Sequence, residues 1–321
     1  VSRILVTGAS GMLGAGVARA LAARGDQVVV MQRRPSGLGL DEVCGDVSDP
    51  QAARRAVGGC EVVIHLAAKV SLSGSAAEFR RVNVQGTDTL LQAAAAAGLS
   101  RFVQVSSPSV AHAGAALVGA GAGAADPERA RGHYARTKAQ AELLALAADV
   151  PGFAVVAVRP HLVWGPGDEQ LVARIEARAR AGGLVVIGGG RALIDTTYLD
   201  NAVDAIVAAG DRAHRDGVHG EAFVVSNGEP RTVLELLTRI AAARQAPGPR
   251  RSVPYSIAWS AGWLVERLWS ALRRPGEPPM TAFLAEQLST AHWFDQRRTR
   301  DALEWAPRVS LDEGFARLAA H

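Results

Sequence analysis

The chain has almost no cysteine: Cys44 and Cys60 are the only two among 321 residues. They sit in no metal-binding or redox spacing and could form at most one bridge, so they read as buried thiols of a reducing compartment without a functional role. Long hydrophobic runs are missing as well. No stretch of about 18 apolar residues occurs, and the first apolar run, Ile4 to Val6, fits a strand better than a signal peptide. A cytoplasmic location is the expectation. Excess charge is also scarce: the net charge is only +4, and the arginines are scattered instead of grouped in blocks with aromatics between them. No nucleic-acid partner is expected, while a mildly basic surface favours an anionic cofactor or substrate.

Hydrophobic residues make up 48% of the chain, ample for one large domain carrying a smaller lobe. Short aliphatic runs alternate with Ala-rich helical stretches at 3–7, 13–24, 27–32, 50–57, 62–66, 84–97 and 102–105. This alternation predicts βαβ units and an α/β fold, a doubly wound parallel sheet of Rossmann type. Residues 1–160 form the dinucleotide domain in this reading, with strands at 154–159 and 222–226 completing the sheet as the chain returns at about 195–227. Segments 161–194 and 228–321 are left for a smaller, mainly helical substrate lobe. Five of the six tryptophans, Trp259, Trp263, Trp269, Trp293 and Trp305, lie in the last quarter and imply that this lobe is aromatic-rich. A helix is expected over 256–272, stopped by Arg273-Arg274-Pro275; it could line a greasy substrate pocket, contact a membrane surface or be core. The Gly/Ala-rich segment 111–132 predicts a mobile surface loop.

Directly after the first strand comes Thr7-Gly8-Ala9-Ser10-Gly11-Met12-Leu13-Gly14, and a helical run follows. Glycines at such a turn let the backbone approach a pyrophosphate, whose charge then meets the first amides of the helix. An acid at the end of the second strand would bind the ribose hydroxyls of NAD. That strand ends in Gln32-Arg33-Arg34 instead, and guanidinium groups there suit a phosphate, which favours NADP(H) over NAD(H). Farther on, Asp46 and Val47 follow the third strand, where Asp46 could hold the adenine edge. Ala67 and Ala68 follow the fourth, small residues where a cofactor needs close approach or where packing is tight.

Tyr134 and Lys138 are four residues apart, hence on one face of a helix. A phenol of pKa about 10 is a poor base at neutral pH, but a nearby cation stabilises its phenolate; a shift of about three units corresponds to about 4 kcal/mol. The strand at 102–105 ends in Ser106-Ser107-Pro108-Ser109, at the carboxyl edge where doubly wound sheets bind ligands. A serine hydroxyl there can stabilise a substrate oxygen as charge develops.

These motifs, with Asn83-Val84-x-Gly86-Thr87, resemble those of the extended short-chain dehydrogenase/reductases of the NAD-dependent epimerase/dehydratase superfamily. The resemblance implies Ser107 as the carbonyl-polarising serine, with Ser106 its nearest rival. It implies Tyr134 as the acid or base, Lys138 as its partner and ribose ligand, and Asn83 as the residue supporting the lysine through ordered water. Arg159-Pro160-x-x-Val163-Trp164 resembles the segment flanking the nicotinamide carboxamide, which adds Pro160 and Val163 to the cofactor contacts. Further blocks, including Asp195-Thr196-Thr197-Tyr198-x-Asp200-Asn201, Ser226-Asn227-Gly228-Glu229-Pro230 and Gly276-Glu277-Pro278-Pro279, point to the hydroxysteroid-dehydrogenase-like branch and its reductases of olefin biosynthesis.

The activity so implied is NADP(H)-linked reduction of a long-chain 2-alkyl-3-oxo acid to the β-hydroxy acid, by a homodimer working beside other olefin-pathway enzymes. No metal is called for, and no residue is assigned to the substrate carboxylate; Arg191 and His112 are the nearest candidates. A 3β-hydroxysteroid dehydrogenase is the main alternative. A dehydratase would want an acid beside the active serine, an epimerase a polar lobe, and a redox-sensing regulator would have lost the Tyr-Lys pair.

Overall fold

The computed structural model describes residues 1–71, 74–112, 114–272 and 280–321. The expected stop at Arg273-Arg274-Pro275 and the block Gly276-Glu277-Pro278-Pro279 lie outside the described residues. Seven strands form one parallel sheet: β1 (Arg3–Thr7), β2 (Gln27–Gln32), β3 (Asp41–Cys44), β4 (Val62–His65), β5 (Arg101–Val105), β6 (Ala154–Pro160) and β7 (Ala222–Val225). Their order is β3-β2-β1-β4-β5-β6-β7, so the direction of winding reverses between β1 and β4. A crevice opens at that reversal, outside the carboxyl ends of the strands.

The sequence builds this sheet because its strands, the edge strand β3 apart, are apolar on both faces. Ile4, Val6, Val28, Val30, Ile64 and Val156 face α1 (Met12–Ala23) and α5 (Leu199–Arg212). Leu5, Val29, Met31, Val63, Phe102 and Val155 face the opposite layer, in which α2 (Pro50–Val57), α3 (Gly86–Ala96) and α4 (Gly132–Ala147) lie.

The smaller lobe has its own core of Trp164, Ile175, Val186, Tyr198, Leu236 and Phe315, where Trp164 stacks on Phe315 at 4.6 Å. It includes α6 (Tyr255–Ala271) and α7 (Ala282–Gln287). A four-stranded sheet accompanies these helices, in the order Arg231–Thr232, Leu193–Ile194, His292–Phe294 and Leu117–Ala120.

Two expectations change. Segment 111–132 is not simply a loop: Leu117–Ala120 is the edge strand of the lobe sheet, and Arg159 donates to the carbonyls of Ala122 and Gly123. Glycine and alanine at these positions let the backbone lie flat against neighbours, which composition alone reads as looseness. Leu303 and Trp305, expected in the lobe, are buried in the core of the dinucleotide domain instead.

The polar blocks of the C-terminal half are joints between these two units. The Asp195 carboxylate accepts from the Ser226 hydroxyl at 2.6 Å and from the amides of Gly228 and Glu229. The Asn227 side-chain oxygen accepts from the Tyr198 amide and from Asn201, both at 3.0 Å. Buried polar groups persist where such partners are complete.

Candidate active site

Helix α1 begins at Gly11 with no side chain capping it and no acid in its first turn. Its leading amides are therefore open to an outside anion. Gly8 adopts φ +77°, and a Cβ there would lie 2.8 Å from the Ala67 amide nitrogen; a Cβ on Gly14 would collide with the Gly8 carbonyl oxygen. Gly11 differs, since its Cβ would meet only the Gly8 oxygen at 3.5 Å. The protein's own packing does not require glycine at this exposed position, whereas a pyrophosphate resting on the turn does. Ser10 is likewise exposed, and Met12 and Leu13 are half-buried at the helix start.

Around this turn the structure gathers Ala67 and Ala68, both half-buried after β4. Arg33 and Arg34 are exposed beyond the end of β2. An acid absent from β2 is supplied by its neighbour: Glu42 of β3 accepts from the Gln32 side chain and, at 2.9 Å, from the Ser36 amide. Asp46 is engaged by Arg81 at 2.6 Å and by Ser48. Against burial, which would raise it, the Ser48 amide and Arg81 hold its carboxyl below the usual range. Val47 beside it is buried.

The catalytic candidates meet at the carboxyl end of β5. Tyr134 and Lys138 share one face of α4, and the Lys138 ammonium donates to the Val105 carbonyl at 2.5 Å. Burial pushes this lysine down to about 8, with Glu142 acting the other way. Burial pushes the Tyr134 phenol up, while the neighbouring Ser107 hydroxyl acts the other way. Their surroundings separate the two serines. Ser107 stands next to Tyr134 and lies 3.0 Å from the Ser109 hydroxyl, whereas the Ser106 hydroxyl is buried with no partner among the described residues.

Asn83 lies in a π-helical turn, Arg80–Gln85, a local irregularity found often at functional sites. Its side chain accepts from the Lys69 amide at 2.7 Å and donates to Thr137 at 3.0 Å, beside Lys138 in sequence. Pro160 ends β6, and Val163 follows in a short strand paired with Thr197.

Two participants were not picked out from sequence. His65 closes β4 and links the cofactor turn to Asn83: its Nδ1 lies 2.7 Å from Thr7 Oγ1 and its Nε2 lies 3.0 Å from Thr87 Oγ1. Thr87 donates to the Asn83 carbonyl, so Nε2 donates to Thr87; Thr7 Oγ1 already accepts from the Leu66 and Ala67 amides, so its own proton goes to Nδ1, and the ring is neutral. Burial, then the charge of Lys138, push His65 down to about 3. Glu142, fully buried, pairs with Arg159. Its spacing from Tyr134 and Lys138, four residues at each step, was the signal available in the sequence.

The carboxylate candidates separate. Arg191 is exposed, while His112 is buried with both ring nitrogens unpartnered among the described residues, 4.7 Å from the ring of His292. His161 packs 6.2 Å from that same ring.

Residues 4–226 match the NAD dependent epimerase/dehydratase family. The chain is 42% identical to the 2-alkyl-3-oxoalkanoate reductase of Stenotrophomonas maltophilia (strain K279a), over 99% of this chain and 98% of that protein. It is 34% identical to the protein of the same description from Shewanella oneidensis, covering 100% of this chain and 86% of the relative. The solved structure of MoeE5 in complex with UDP-glucose and NAD superposes with a TM-score of 0.74 at 25% identity, covering 99% of this chain and 97% of that one. With the Tyr134–Ser107–Lys138 geometry beside a dinucleotide turn, this makes the chain a member of the NAD dependent epimerase/dehydratase family within the extended short-chain dehydrogenase/reductases, and an oxidoreductase acting on CH–OH groups.

Proposed function

We propose that this protein uses NADPH to reduce the ketone of a long-chain 2-alkyl-3-oxoalkanoic acid to the 2-alkyl-3-hydroxy acid, as a step of olefin biosynthesis. The observation carrying this reading is the placing of Tyr134 next to Ser107 and on one helix face with buried Lys138, in a chain similar from end to end to a reductase of that substrate class. When bound, the dinucleotide supplies the hydride to the ketone carbon. The amides at the start of α1 would hold its pyrophosphate, and Arg33 and Arg34 would hold the ribose phosphate that distinguishes NADPH.

The rest of the chemistry belongs to the chain. Burial keeps the Tyr134 phenol protonated at neutral pH, so it delivers its proton to the ketone oxygen as the carbon becomes tetrahedral. Ser107 donates to the same oxygen and stabilises the negative charge it acquires. The Lys138 ammonium, fixed by the Val105 carbonyl, offsets the charge left on the phenolate.

A second reading concerns the cofactor alone. Glu42 stands at the end of β2 where an acid would suit the ribose hydroxyls of NAD, and MoeE5 was solved with NAD. The test follows nicotinamide absorbance with NADPH or NADH and freshly prepared 2-alkyl-3-oxo acid, a 3-ketosteroid or a nucleotide 4-ketosugar. Turnover of the oxo acid with NADPH, lost in Tyr134→Phe, is the expected result. Turnover of the steroid alone overturns the substrate, and preference for NADH overturns the assignment of Arg33 and Arg34.

A further inference from the structure

Helix α6 is held to the lobe by a narrow stripe. Ala258 is buried, and Gly262 lets the backbone of α7 touch, because a Cβ there would stand 2.5 Å from the Thr281 carbonyl carbon. Much of the remaining surface of the helix faces outward and carries large apolar side chains: Tyr255, Ile257, Trp259, Trp263, Leu264 and Leu268 are each 40% to 58% exposed, with Ser256 and Ser260 exposed among them. So dense a cluster of large apolar side chains on one exposed helix marks a binding surface.

Among the described residues from 250 to 272, the exposed charges are all basic. Glu266 is the single acid of the helix and is turned inward, where the Ala282 amide donates to it and burial pushes its carboxyl up. Arg267 is the single base of the helix; it is exposed, with its guanidinium 4.2 Å from the centre of the Trp263 ring. Arg250 and Arg251, also exposed, lie just before the helix begins.

We propose that this face of α6 docks on an anionic lipid bilayer, with the helix lying along the interface and Arg250, Arg251 and Arg267 meeting lipid phosphates. Tryptophan at headgroup depth, an apolar face inward and arginine beside it are the features of interfacial helices. At 17 residues the helix is about 26 Å long, short of the roughly 30 Å hydrocarbon core, and among the described residues no helix is long and apolar enough to cross a membrane. A second copy is a poorer occupant, because a two-fold contact would put two copies of the same basic patch into one interface.

The docked face connects to the chemistry. Glu286 of α7 forms an ion pair with Arg131, which precedes α4 and stands three positions before Tyr134. Alkyl substrate would then enter from the lipid, a consequence that rests on the function proposed above; the docking does not.

The test is sedimentation of the full chain with vesicles of phosphatidylcholine, with and without phosphatidylglycerol. The expected result is co-sedimentation that needs phosphatidylglycerol and falls about tenfold or more in Ile257→Ser/Trp259→Ser/Trp263→Ser. Arg267→Glu is expected to weaken binding to the anionic vesicles at unchanged thermal midpoint, and it decides the matter should the triple variant not fold. Wild-type protein that stays in the supernatant with both vesicle types overturns the proposal. So does a dimer in solution that the triple variant abolishes while vesicle binding is absent, which assigns the face to a second copy.

Discussion

Acidification is expected to unfold this protein through its buried histidines. Burial pushes His65 to about 3, His161 to about 4 and His292 to about 3, against an ordinary value of 6.5. A base whose folded pKa lies below its unfolded one takes up protons on unfolding, so its contribution to stability is present above pH 6.5 and is lost as pH falls toward the folded value. Between about pH 7 and pH 5 each such histidine costs about 2 kcal/mol, and three cost about 6 kcal/mol. Asp195 acts in the opposite sense. Burial raises its carboxyl to about 6, so it gains a proton in the folded state over the same interval and returns about 1 kcal/mol. The net loss is about 5 kcal/mol, a large share of the roughly 5–15 kcal/mol that holds a domain folded.

Urea unfolding followed by tryptophan fluorescence at the two pH values measures this directly. His65→Gln retains a donor and an acceptor for Thr7 and Thr87 but does not titrate, so the loss on acidification should shrink by about 2 kcal/mol in that variant. Stability that is equal or greater at the lower pH, or a variant with an undiminished loss, would refute the claim that these rings are neutral by burial.

Three further outcomes are expected. Gly11→Ala should change stability by less than about 1 kcal/mol yet weaken dinucleotide binding about tenfold or more, since only a ligand excludes its Cβ, whereas Gly14→Ala should fail to fold; calorimetry and thermal melts separate the two. With saturating cofactor, ketone reduction should fall as pH rises through about 8, where Lys138 loses its charge, and Lys138→Arg should move that limb upward; a limb that stays in place sinks the assignment. Glu142→Gln strands the buried Arg159 guanidinium and should cost about 3–5 kcal/mol in urea unfolding, a loss absent if the pair is unimportant.

How far the sequence reached depends on how local each cause was. Strand and helix positions followed from alternation: β1 and β2 were legible to the residue because apolar runs of that length sit between a glycine turn and a helical stretch. The same holds for the glycine turn and the Tyr134–Lys138 pair, whose chemistry is written in spacings of three and four residues. Segment 111–132 was misread because its strand is stabilised by pairing with His292–Phe294, far away in the chain, and nothing local marks it.

Other features were decided by contacts that spacing cannot show. Composition placed Trp305 with the other late tryptophans, but the fold returns it to the dinucleotide core. Ser106 and Ser107 are equivalent as letters; the fold sets Ser107 next to Tyr134 and buries the Ser106 hydroxyl without a partner among the described residues. His65 acquires a fixed tautomer only because β1, β4 and α3 bring Thr7 and Thr87 to its two nitrogens. The sequence by itself determined the parallel sheet, the dinucleotide turn and the acid-base pair, since each rests on short-range periodicity and turn geometry. Tertiary structure alone decided which buried polar groups find partners and which charges lose their water, because those depend on what distant segments the fold places against them.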